Sequence, residues 1–224
     1  MTPLRRRCVK QATRAALAAA IAMFAASAGA QEVYVQGGTL GAGVGAALPL
    51  SSWAGVHAEL EGFGLSHTVN VDGNQYDGRL TLLQGGLYLD LFPFKSSGFR
   101  VTTGVLINDD HLDAHAVPNA DGNYKIGSDY VPAVGAAPTA QASLPHAMPY
   151  LGIGYGHKPV SKGFGVTFDL GVAYGRPHVS YSVPEIYTLF TTQENIDQQE
   201  QKISNTVERY RVYPVAQLGL TYRF

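Results

Sequence analysis

From residue 31 onward, apolar positions recur every second residue rather than every third or fourth. The clearest run starts at Phe164. Phe164, Val166, Phe168, Leu170, Val172 and Tyr174 alternate with Gly165, Thr167, Asp169, Gly171, Ala173 and Gly175. Side chains two apart share one face of a strand, so this run predicts a strand with one apolar face and one small or polar face. The C-terminus repeats the pattern. Tyr210, Val212, Pro214, Ala216, Leu218, Leu220, Tyr222 and Phe224 fall on one side, and Arg211, Gln217, Thr221 and Arg223 on the other. Phe99 to Asn108, Trp53 to Leu60 and Tyr150 to His157 alternate in the same way. In Tyr76 to Phe94 the phase changes: Leu80 and Leu82 have the opposite parity to Leu87, Leu89 and Leu91. A bulge near Gln84-Gly85-Gly86 is expected to restore one continuous apolar face.

These runs approach or exceed the roughly 9–11 residues with which a tilted strand crosses a bilayer. Ordinary globular strands centre on about 5–6 residues. The connections also alternate. Leu48 to Ser52, Lys95 to Gly98 and Lys158 to Gly163 are tight, and Val71 to Gln75 is short, whereas His111 to Ala147 and Ser182 to Glu208 are long and polar. Outer-membrane barrels keep short turns on the periplasmic side and long loops outside. The sequence therefore predicts an all-β fold, an antiparallel up-and-down transmembrane β-barrel. Seven crossings are visible, over 34–47, 53–68, 76–93, 99–111, 148–157, 164–180 and 208–224. Closure in lipid leaves no unpaired edge, and bacterial barrels usually have an even number of strands, so eight are expected, the eighth unplaced. Val33 and Val35 differ in parity from Ala42, Val44 and Ala46, so Gly37-Gly38 marks either a bulge or a tight hairpin. Glu32 to Gln36 is short for a crossing on its own.

The first thirty residues read differently. Arg5, Arg6, Arg7, Lys10 and Arg14 precede an apolar stretch, Ala15 to Ala25, and Ala28-Gly29-Ala30 supplies a small-x-small cleavage pattern. This predicts a secretory signal over residues 1–30 and a barrel over 31–224. Cys8 leaves with the signal, and no other cysteine is present, so disulfides and thiolate metal sites are excluded from the barrel. Loss of five basic residues takes the formal charge from −1 to −6, which argues against nucleic acid as a partner. The expected surroundings are the lipid bilayer and lipopolysaccharide. The terminal Phe224 on an alternating strand resembles the signal read by the outer-membrane assembly machinery.

The polar faces predict what fills the interior. Glu59, Glu61, Arg79, Asp90, Arg100, Asp169 and Arg211, with Tyr88 and Gln217, are expected to point inward, four acids against three arginines. A barrel of about eight strands is nearly filled by its own side chains, so this set reads as a charge-paired plug, or alternatively as a narrow solute path.

Several stretches carry a resemblance: Val69-Asn70-Val71-Asp72-Gly73-Asn74-Gln75-Tyr76-Asp77, Gly86-Leu87-Tyr88-Leu89-Asp90, Pro149-Tyr150-Leu151-Gly152-Ile153-Gly154, Phe168-Asp169-Leu170-Gly171-Val172-Ala173-Tyr174 and Tyr213-Pro214-Val215. In order and spacing the chain resembles the ornithine-uptake, carbapenem-susceptibility-associated outer-membrane protein family and its barrel relatives. The resemblance implies an eight-stranded barrel without a wide channel, associated with uptake of small basic amino acids. The shared segments are strand and turn signatures and bring no solute-site motif with them.

Other chemistry is sparse. Asp109, Asp110, His111, Asp113 and His115 cluster at the start of the first long loop, either as a solvated acidic loop or as a trap for cations or basic solutes. His178-Val179-Ser180 resembles the His-x-Ser pair of lipid A deacylase barrels, without that family's other signatures. Gly41, Gly43 and Gly45 keep one strand face small. Ile196, Ile203 and Val207, at near-helical spacing, allow a short helix over the mouth, with an irregular loop the equal alternative. No cofactor or resident metal is indicated. Three functions compete: a narrow or slow channel for small solutes, a non-conducting structural or interaction barrel, and a lipid-modifying enzyme.

Overall fold

The computed structural model describes residues 32–71, 74–158 and 162–224. The predicted signal, residues 1–30, lies outside them, as do 159–161 of the turn read at Lys158 to Gly163. Thirteen strands are described: β1 (Glu32–Gly38), β2 (Gly41–Pro49), β3 (Ala54–Val71), β4 (Asn74–Leu91), β5 (Phe99–Asn108), β6 (His111–Val117), β7 (Asn123–Ile126), β8 (Asp129–Pro132), β9 (Thr139–Ser143), β10 (Ala147–Tyr155), β11 (Gly163–Tyr174), β12 (His178–Ser182) and β13 (Val212–Arg223). Eight of them form a closed antiparallel ring, β1-β2-β3-β4-β5-β10-β11-β13, and β13 returns to β1. Glu32 pairs with Arg223 across that closure.

The missing crossing is β1. The stretch 34–47, read as one crossing, is a tight hairpin that turns at Thr39 and Leu40. A Cβ on Gly38 would stand 1.9 Å from the Ala216 carbonyl oxygen, and Gly41 has φ +108°, so glycine is required on both sides of the turn. Glu32 and Arg223 meet at one end of the ring, the tight turns at 50–53 and 92–98 lie at that same end, and the two long loops lie opposite.

The outward face settles the solvent. Phe164, Val166, Phe168, Leu170, Val172 and Tyr174 of β11 are exposed, as are Leu218, Leu220 and Tyr222 of β13 and Leu151 and Ile153 of β10. Soluble monomers rarely expose contiguous apolar patches above a few hundred Å²; a belt around a closed barrel belongs in hydrocarbon. Trp53, Phe94, Tyr155, Phe164, Tyr222 and Phe224 mark its lower rim, and Tyr174 and Tyr210 its upper rim, like the aromatic girdles of such barrels.

The expected bulge in β4 is absent. Its pairing with β3 runs unbroken from Ala54↔Leu91 to Val71↔Asn74. Leu82 is therefore on the same face as Tyr88 and Asp90, and all three are buried. The phase of the sequence changes because the environment does. Lower β4 has lipid outside and polar groups inside. Upper β4 rises above the lipid and carries an apolar cap on its inner face.

That cap contains most of both long loops. β6 pairs with upper β4, β9 with β6 and β12 with β9. The β7–β8 hairpin and the helix Gln193–Val207 close over them, and Tyr76, Tyr124, Ile126, Val131, Tyr181, Tyr187, Ile196 and Ile203 form a common core. Of the two readings, the helix is the one formed: it begins where Thr192 accepts the Asn195 N–H as N-cap, and the helical spacing of Ile196 and Ile203 turns both inward.

Candidate functional site in the barrel lumen

Alternation on eight strands brings the polar faces together in layers. The lowest holds Glu32, which pairs with His157 Nδ1 at 2.7 Å and with Arg223. Lys158 Nζ donates to the carbonyls of Phe94 and Ser97 beside it.

The next layer centres on Arg100, which is 0% exposed. Its Nη1 meets Asp90 Oδ1 at 2.9 Å and its Nη2 meets Asp169 Oδ2 at 2.6 Å. His57 Nδ1 lies 2.7 Å from the other Asp90 oxygen. Thr102 donates to Asp90, and Arg100 Nη2 donates to Thr167. Buried charges persist where they are paired and hydrogen-bonded in this way.

Above it, Glu59 and Glu61 are held differently. Glu59 accepts from Tyr88 Oη at 2.7 Å, from Gln36 Nε2 at 2.7 Å and from Tyr34 Oη at 3.3 Å. Gln36 Nε2 also donates to Glu61 at 2.8 Å, and Gln217 donates to Glu61. All of these donors are neutral. Gly43 and Gly45 make the room: a Cβ on Gly43 would lie 2.4 Å from Glu61 Cγ, and one on Gly45 2.1 Å from the Tyr34 ring. The uppermost layer is an apolar lid of Leu40, Leu106, Met148, Ala173 and Val215 with Tyr88 and Tyr150. Tyr88 stacks on His57 at 4.5 Å and meets Tyr150 edge-on at 5.0 Å.

Five of the seven charged residues expected inside are there: Glu59, Glu61, Asp90, Arg100 and Asp169. Arg79 is not. Without a bulge its odd position turns outward, into an open polar groove of about 770 Å³ above the barrel with Asp77, Asp113 and His115. Nor is Arg211, which precedes β13 and is exposed, its Nε 3.4 Å from the Glu208 carbonyl oxygen. Sequence reasoning missed Glu32, Gln36, His57, Thr167 and His157 as lumen groups. Glu32, Tyr34 and Gln36 alternate with Val33 and Val35, a signal that became readable only once β1 was a strand.

The loop cluster divides. His111, Asp113 and His115 line the outer face of β6, with His111 Nε2 3.7 Å from Asp113, and Asp109 is exposed. Asp110 alone turns in. It is 3% exposed, its Oδ1 accepts the Leu83 N–H at 2.8 Å, and its Oδ2 has no partner among the described residues. Burial pushes its carboxyl up from the ordinary aspartate range, the Leu83 bond draws it partly back and Asp109 adds to the rise. The folded state thus holds this proton to higher pH than the unfolded chain. Its contribution to stability falls as pH rises above the ordinary aspartate value of about 3.9. Asp110→Asn should therefore be at least as stable as the parent at pH 7 and show a flatter dependence between pH 4 and 7, read from urea midpoints in lipid vesicles. A lower midpoint at both pH values would contradict this.

His178 and Ser180 are both exposed on β12. Among the described residues no hydrogen bond joins them or brings an acid to the histidine, so the geometry of a base-activated serine is not assembled.

No protein-family model matches the chain, and no curated protein matches it in sequence. Solved structures do. CarO of Acinetobacter baumannii matches at a TM-score of 0.54 and 19% identity over 87% of this chain and 97% of that one. CarO2 of the same organism matches at 0.54 and 20%, over 86% and 97%. At that identity the likeness is one of fold: this chain is built as a small barrel of the outer-membrane type.

Proposed function

We propose that this protein is a bacterial outer-membrane barrel that passes small cationic solutes slowly, through a lumen closed in the conformation described above. The observation that carries this reading is the pair Glu59 and Glu61. Asp90 and Asp169 have Arg100, and Glu32 has Arg223 and His157, but these two carboxylates are held by neutral donors. A buried carboxylate without a counter-charge is costly, so an entering cation finds its strongest stabilisation there. Passage requires the lid and the Arg100 layer to part, which makes it slow. A second reading, a non-conducting barrel, is favoured by the ion pairs of Arg100 with both Asp90 and Asp169.

The test is uptake. Liposomes carrying the processed chain should take up a small cationic amino acid above the protein-free rate, and an anionic one should not enter. The double variant Glu59→Gln, Glu61→Gln should cut cation uptake at least tenfold while keeping the heat-modifiable gel migration of a folded barrel. Uptake of neither solute, with silent planar bilayers, would leave the non-conducting reading.

A further inference from the structure

The barrel wall is uneven in height. The β1–β2 tip meets β13 at Ala216, where Thr39 N–H donates to the Ala216 carbonyl at 3.0 Å, and it meets β3 at Gly62. β3 continues to Val71 and β13 begins higher, at Val212. Above the tip, neither strand has a ring neighbour on the side that faces the other among the described residues, so the wall is notched. Val212 pairs with Tyr174, the top of the apolar run on β11, which sets the notch at the outer part of the lipid belt. Its flanks are apolar, with Phe63 and Leu65 on β3 and Val212 on β13 all exposed.

The β13 flank is finished without a strand. Thr39 Oγ1 donates to the Pro214 carbonyl at 3.1 Å and accepts the Ala216 N–H at 3.0 Å. Pro214 has no N–H to leave unpaired. Between Pro214 and Ala216 this edge is satisfied without a neighbouring strand.

Behind the notch is an apolar cavity of about 360 Å³. Leu82, Leu112, Leu144 and Val207 line it, and so do Val212 and Pro214 of the notch flank. A smaller cavity of about 130 Å³ adjoins it at Leu112, Ala142 and Val207. Asp110, the carboxyl in the wall of the larger one, has an unpartnered oxygen, and His111 lines the same wall. A buried carboxylate among leucines calls for a donor or a positive charge, and the leucines call for hydrocarbon.

We propose that this cavity binds a single-chain amphiphile with an amine head, entering sideways from the outer leaflet through the notch, its chain along the leucines and its ammonium on Asp110. The site lies above the lid and does not depend on conduction through the lumen.

The test uses the processed chain in phosphatidylcholine nanodiscs, titrated with n-decylammonium, decanoate and decanol and followed by calorimetry against empty discs. Decylammonium should bind saturably, one per barrel, at least tenfold more tightly than the other two. Asp110→Asn, which keeps the acceptor for Leu83, should reduce it to the level of decanol. Ala142→Trp, which fills the cavity, should remove saturable binding while the gel migration of the folded barrel persists. Partition equal to empty discs would overturn the proposal. So would saturable binding that ignores the head group, or affinity unchanged in Asp110→Asn.

Discussion

Arg100→Ala should cost the barrel about 3–5 kcal/mol, because it leaves two carboxylates buried without their cation. Asp90 would keep His57 and Thr102, and Asp169 would lose its ion pair. The loss should appear as a lower urea midpoint in lipid vesicles. Arg100→Met combined with Asp90→Asn and Asp169→Asn should recover most of it, since replacing a whole buried ion cluster is often close to neutral. A single Arg100→Ala variant with an unchanged midpoint and altered flux would show that the arginine belongs to a solute path rather than to the structure.

Tyr88→Ala should have an effect of similar size and a second consequence. The ring is buried between His57 and Tyr150 and covers Gly86, where a Cβ would stand 2.1 Å from it. Removing a packed aromatic costs about 3–5 kcal/mol. It also takes a donor from Glu59 and opens the lid, so planar bilayers should record conductance where the parent records less. Tyr88→Phe keeps the ring and should cost only about 1–3 kcal/mol, for the unsatisfied acceptor. A Tyr88→Ala variant within about 1 kcal/mol of the parent would mean that the lid is loosely packed.

How far the sequence could be read follows from which solvent each stretch meets. Where lipid lies outside, alternation is enforced residue by residue, and the apolar faces of β5, β10, β11 and β13 are as read. Above the lipid that rule lapses. Leu80 and Leu82 then signalled a bulge that is not there, and Arg79 was carried inward with them. β1 escaped because a strand of seven residues is short for a crossing, and its shortness is compensated by taller neighbours rather than by its own length. The strands of the cap, four to seven residues long, have too few alternations to stand out from a polar loop. The lumen charges were legible as residue types on a face. Their grouping was not, because which carboxylates receive Arg100 depends on register.

The two outer segments are fastened to each other. Asp129 of the first accepts from Thr191 and Asn195 of the second, and Gln199 accepts the Gly127 N–H. If the barrel sits in an outer membrane as proposed, its outward surface is assembled from stretches about sixty residues apart in the chain. An antibody or phage protein that grips it would recognise a discontinuous epitope, and a linear peptide copied from either segment would be a poor immunogen for it.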